Sequence, residues 1–179
     1  MMAYSIEHAK ASKYINRIIV STDSEAYAQI AREYGAETPF IRPAEYATDT
    51  ALDIDVFAHA LSFLKEKEDY VPDIIVQLRP TYTFRDPADI DAMIEIMLND
   101  ETLDAVRSIK KNEVVPHKMW YLGEDGTLDP ILKDIPEAYN MPRQQLPDTY
   151  YQNGNVDLLR PRNVTELHSM TGKKIKGYV

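Results

Sequence analysis

Three short stretches of this chain concentrate side chains able to hold an anion or a sugar. Arg79-Pro80-Thr81-Tyr82-Thr83-Phe84-Arg85 follows the apolar run DIIVQL directly, so rigid backbone would hold Arg79 and Thr81. An arginine there suits phosphate or carboxylate, because its planar fork donates two parallel charge-assisted hydrogen bonds. The alternative is a structural ion pair of Arg79 or Arg85 with Asp86 or Asp89, the preferred reading for Arg85. Phe40-Ile41-Arg42-Pro43-Ala44-Glu45 offers Arg42 to stack on or hydrogen-bond a base, while Asp53, further on, reads first as a helix cap. Tyr139 to Pro147 and Tyr150 to Gly154, with Arg143, Gln144 and Asn153, mix amides with aromatic rings. That mixture fits a sugar, and equally a protein interface.

Other chemistries are excluded by type or spacing. None of the 6 glycines forms a dinucleotide fingerprint or a Walker loop, and no serine sits in a nucleophile elbow. The four histidines lie far apart; His8 and His59 fall in helical patterns and read as packing or surface residues. The chain has no cysteine, which removes disulfides, thiolate nucleophiles and cysteine-ligated zinc. Its formal charge of −9 argues against a nucleic-acid polymer as partner. The opening MMAYSIEHAKASKY lacks the apolar core of a signal peptide, and no stretch has the length of a membrane span; a cytoplasmic location is expected.

The elements that must position these residues alternate. Helices are predicted over Ile6–Ser12, from a Ser24 cap to Gly35, over Asp53–Lys67, and from an Asp86 cap with Pro87 first and Ile90, Met93, Ile94 and Met97 as its inner stripe. Strands are predicted at Arg17–Ser21, Asp73–Leu78, Asp104–Ser108 and Asn155–Leu159. Alternation implies an α/β protein, a mainly parallel sheet with helices on both faces and ligands at the carboxyl ends of its strands. Its 179 residues suit a single domain. Residues 110–152, broken by five prolines and with turn signals at Gly123 to Gly126, read as an excursion within it, a hairpin arm suited to dimerisation.

IIVSTDSEAYAQIAREYGAETPFIRPAEYATDTA, LRPTYTFRDPADID, PHKMW, MPRQQLP and QNG, in that order, resemble the acylneuraminate cytidylyltransferases, which make CMP-sialic acid and related CMP-nonulosonates. The resemblance covers nearly the whole chain. It implies a Rossmann-like nucleotidyltransferase fold, a homodimer whose arms help close each other's sugar sites, and attack of an acidic sugar's anomeric hydroxyl on the α-phosphate of CTP in the presence of Mg2+. Carried across position by position, it places Arg42 at the base and Lys118, Arg143 and Asn153 at the sugar; beside them, Asp53, Arg79 and Thr81 are expected at the nucleotide, and Gln144 and Asp157 at the sugar. The family commonly has Gln, Ser and Tyr near Arg79, Asp53 and Asp157, which leaves the particular sugar and the choice of CTP over another nucleotide open. Its triphosphate loop and metal-binding Asp pair are expected before Met1 and after Val179; no catalytic or metal residue is assigned here. A non-catalytic sugar- or nucleotide-binding dimer is the alternative.

Overall fold

The computed structural model describes residues 1–179. In chain order its elements are α1 (Met2–Ala11), α2 (Glu25–Glu33), α3 (Asp53–Glu68), β1 (Ile75–Gln77), α4 (Pro87–Asn99), β2 (Ala105–Lys111), β3 (Trp120–Leu122), β4 (Leu128–Pro130), β5 (Tyr150–Leu159), α5 (Pro161–Thr165) and β6 (Ile175–Tyr178). They form two compact units, residues 1–108 with 154–178, and residues 109–153 with Val179.

Helix boundaries follow local chemistry. Ser24 caps α2 by accepting from the Tyr27 amide at 3.4 Å, and the chain leaves that helix through Gly35 at φ +91°. Asp86 caps α4 by accepting from the Ala88 amide, with Pro87 in the first turn where no donor is lost. The stripe predicted for α4 is the core itself: Ile90, Met93 and Met97 are inaccessible, and Ile94 nearly so.

The larger unit carries a four-stranded sheet in the order β1-β5-β2-β6. Leu158 and Val106 pack toward α4 with Met93 and Met97, whereas Leu159 and Ala105 pack with Leu61 of α3 and Val164 of α5. Helices therefore cover both faces, as the alternation implies. The sheet is mixed, which corrects the expectation of a mainly parallel one. β2 and β6 run parallel, β1 and β5 antiparallel. Arg160 N–H donates to the Asp104 carbonyl while Ser108 Oγ bonds Val156, so β5 opposes β2 as well. The reason is topological: the chain leaves the sheet along β2 and returns along β5, and such a return needs no crossover.

Two other expectations change. Arg17–Ser21 forms no strand, only a parallel bridge between Ile19 and Glu37, because its pairing stops at two backbone bonds, Glu37 N to Ile18 O and Val20 N to Glu37 O. Conversely β6 hides in the polar tail KKIKGY. It is pinned by Asp104, whose Oδ2 accepts from the Lys173 and Lys174 amides at 2.8 and 2.9 Å. Gly172, at φ +67°, makes this possible, since a Cβ there would strike the Asp104 side chain.

The unit of residues 109–153 has a small core, Val115, Ala138 and Leu146 with Ile135 and Met141 against it. β3 and β4 pair as an antiparallel hairpin with Leu122 opposite Leu128. Its turn lies where the glycines indicate, closed by Gly126 N to Gly123 O and by Asp125 accepting from the Thr127 amide and hydroxyl.

Candidate functional site

In the larger unit the polar groups gather where β1 gives way to its following loop. The Arg79 carbonyl accepts from the Tyr82 amide at 3.1 Å, closing a turn in which Thr81 is exposed. Arg79 Nη2 donates to Asp53 Oδ2 at 2.8 Å, and Gln77 Nε2 reaches the same oxygen at 3.1 Å. The ion-pair partner of Arg79 is therefore Asp53, not Asp86 or Asp89. Asp53 does not cap α3: it is the helix's first residue, and Leu52 before it provides no side-chain cap. Its charge suits the helix start, and its carboxylate orients Arg79.

Asp157 stands opposite Gln77 in the β1–β5 register, with Arg107 Nε 3.8 Å from its carboxylate. A line of alternating polar groups thus runs Arg79, Asp53, Gln77, Asp157, Arg107. The Asp157 side chain is only 4% exposed, a placement that supports Arg107 more than it offers a surface to a sugar. Sequence reasoning missed Gln77 and Arg107. A cation inside the strand AVRSIKK, where burial is otherwise high, was the available signal for Arg107.

Arg42 lies elsewhere in this unit. Its Nε donates to Ser21 Oγ at 3.0 Å, its Nη2 to the Ser21 carbonyl and its Nη1 to the Tyr46 carbonyl at 3.5 Å. The guanidinium thus braces the loop that follows residues 17–21, with Tyr46, His59, Phe40 and Phe63 packed ring to ring nearby. His59 is a packing residue, as its helical pattern indicates.

Within residues 109–153, Arg143 and Gln144 line a cavity of about 420 Å³ together with Lys111, Asn112 and Thr149. Lys111 is held by Asp148 at 2.7 Å, whereas Arg143 has no acidic partner and makes one long bond, 3.4 Å, to the Asn112 carbonyl. Lys118 does not line this cavity; its ammonium donates to the Tyr139 and Met141 carbonyls at 3.0 and 2.7 Å and so braces the segment before Arg143. Asn153 lies at the end of this unit, half-buried.

Acidic and histidine side chains form no group of three able to hold a metal ion. No residue of the chain is assigned to the Mg2+ that the resemblance implies, and no step is routed through it.

An α/β layer with Arg79 at the end of one of its strands has a counterpart among solved structures. The solved structure of CMP:2-keto-3-deoxy-manno-octonic acid synthetase complexed with CTP matches with a TM-score of 0.63 at 13% identity, covering 92% of this chain and 65% of that one. The fold is thus Rossmann-like. The family model for cytidylyltransferase matches residues 1–123. The post-translational flagellin modification protein B of Campylobacter coli is 32% identical over 97% of this chain and 72% of its own length. The N-acylneuraminate cytidylyltransferase of Escherichia coli O18:K1:H7 is 29% identical over the whole chain, which spans 40% of that protein. The chain belongs to the cytidylyltransferase family.

Proposed function

We propose that the protein is a nucleotidyltransferase that activates an acidic nonulosonate sugar with CTP. The sugar's anomeric oxygen bonds to the α-phosphorus as the bond to pyrophosphate breaks, giving the CMP-sugar. No residue is assigned to receive the hydroxyl proton. Positioning and charge neutralisation dominate such a transfer.

The observation that carries this reading is Arg143, an exposed arginine with no acidic partner, beside Gln144 in a cavity of sugar size. A carboxylate can dock on its fork while Gln144, Asn112 and Thr149 address hydroxyls. The relatives' names support the sugar class, and the Arg79 turn is the proposed nucleotide contact, with Thr81 and Asp53 beside it. Mg2+ belongs to the proposal as a companion of the triphosphate, without residues of this chain assigned to it. A homodimer and a cytoplasmic location complete it; no helix is long and apolar enough to cross a membrane.

The test is pyrophosphate release from CTP, Mg2+ and a panel of nonulosonates, with calorimetry of each ligand alone. Release with at least one sugar is expected. Saturable binding without release would favour the non-catalytic alternative, and no binding of CTP or any sugar would sink the proposal.

A further inference from the structure

Arg85 is a buried cation without a counter-ion. It is 8% exposed, and no acidic side chain pairs with it, although the chain carries an excess of acidic residues. The expected pairing with Asp86 or Asp89 is not made: Asp86 caps α4, and Asp89 accepts from the Tyr178 hydroxyl. Burying an arginine in this way is costly unless its donors are well used. Here they are. Nη2 donates to the Arg79 carbonyl at 2.5 Å, Nε to the Asn155 carbonyl at 2.7 Å and Nη1 to Ser5 Oγ of α1 at 3.0 Å. The Tyr82 ring lies 5.7 Å from the guanidinium carbon. One side chain thus joins α1, the Arg79 turn and the start of the buried part of β5. Beside that junction the Arg79 side chain passes Gly154, at φ +72°; its Cδ would lie 3.7 Å from a Cβ there, an ordinary contact distance.

We propose that Arg85 is a positioning residue for Arg79. It fixes the carbonyl that closes the Arg79–Tyr82 turn against β5 and α1, so that the Arg79 guanidinium is presented over Gly154 in one orientation. Its uncompensated charge adds positive potential beneath that turn, favouring an anionic ligand above it. His8, an ionisable group that feels Arg85 as Tyr82 does, is pushed toward its neutral form by burial and by Arg85, so it adds no second positive charge. A lysine has charge but cannot span three acceptors, which separates the two parts of the role.

Only the ligand part of this inference rests on the proposed function. The first measurement needs no ligand: amide hydrogen exchange in Arg85→Lys and Arg85→Gln. Exchange of the Tyr82 amide, bonded to the Arg79 carbonyl, should quicken about tenfold in both variants. The remote Val20 amide, bonded to Glu37, should keep its rate. Unchanged Tyr82 exchange, or equal quickening of both amides, would overturn the positioning role. The second measurement is CTP affinity in a double-mutant cycle with Arg79→Ala. Arg85→Lys should weaken binding about tenfold when Arg79 is present and less than about twofold when it is absent. Equal losses in the two backgrounds would show that Arg85 does not act through Arg79. If Arg79→Ala itself leaves CTP affinity unchanged, or CTP does not bind, the nucleotide assignment fails while the exchange data still decide the positioning role.

Discussion

The Arg79 turn and the Arg143 cavity hold their cations in different ways. Arg79 follows a strand of a sheet packed on both faces, faces a carboxylate at a helix start, and has its carbonyl gripped by a buried arginine. Arg143 sits on a single helical turn over a core of three buried side chains, with one long backbone bond and no acidic partner. The first arrangement fixes geometry, and the second leaves charge available. A region of some forty-five residues with so small a core opens locally at little cost. That difference matches the two contacts proposed above, a nucleotide oriented at Arg79 and a sugar admitted beside Arg143.

The sharpest way to break this comparison is to hollow each core in turn. Leu158 is 1% exposed between β1 and β2, and Leu158→Ala should cost about 2–5 kcal/mol, lowering the denaturant midpoint of the main transition. Leu146→Ala should leave that midpoint in place and quicken amide exchange only across residues 109–153. Equal falls in midpoint for both variants would show one cooperative unit.

A smaller effect comes from the clasp on β6. Asp104 accepts from the Lys174 and Lys173 amides and from Arg162, and these bonds hold its carboxyl below the usual aspartate range. A carboxyl depressed in the folded state adds stability above its unfolded value, about pH 4, and loses that stability as pH falls through the folded value. Asp104→Asn should therefore cost about 2 kcal/mol at pH 7 and flatten the acid limb of the stability curve. It should not abolish that limb, since Thr102 and Lys174 hold Asp100 at about 2, and Arg17 holds Glu37 low. An acid limb identical to that of the parent protein would remove Asp104 from this role.

How far such features can be read from sequence depends on whether the cause is local. The α4 stripe, its Asp86 cap and the Gly123 to Gly126 turn were legible because periodicity and turn chemistry act within a few residues. β6 was not, because a lysine-rich tail becomes a strand only through a carboxylate some seventy residues earlier. The direction of β5 was hidden for a similar reason: nothing in its residues says which neighbour it meets. At the site, the arginine-bearing segments could be recognised, but their partners could not. Asp53 looked like a cap and Arg85 like half of an ion pair, because each nearby acid was the simplest candidate for its neighbour.

Availability of charge is tested next, by Arg143→Ala. With no ion pair to lose, the variant should melt like the parent, while sugar affinity falls about tenfold, roughly 1.4 kcal/mol. Calorimetry with a nonulosonate reads the loss, and its carboxyl methyl ester should bind the parent protein about as weakly as the acid binds the variant. Unchanged affinity in Arg143→Ala would place the sugar carboxylate elsewhere.

The smallest effect expected is the contribution of the Arg79–Asp53 pair to stability. Both side chains are more than a third exposed, so water screens the attraction, and a double-mutant cycle with Arg79→Ala and Asp53→Asn should give a coupling below about 1 kcal/mol that shrinks in salt. Gln77 complicates the carboxylate arm, because it donates to the same Asp53 oxygen while its own Oε1 is shut off from water without a partner. Asp53→Asn thus disturbs two contacts, and the cycle is needed to isolate the ionic one. A coupling above about 2 kcal/mol would mean that the pair acts as a buried bridge. The pair would then belong to the framework of the larger unit, and Arg79 would be no more available to a ligand than Arg42 is behind Ser21.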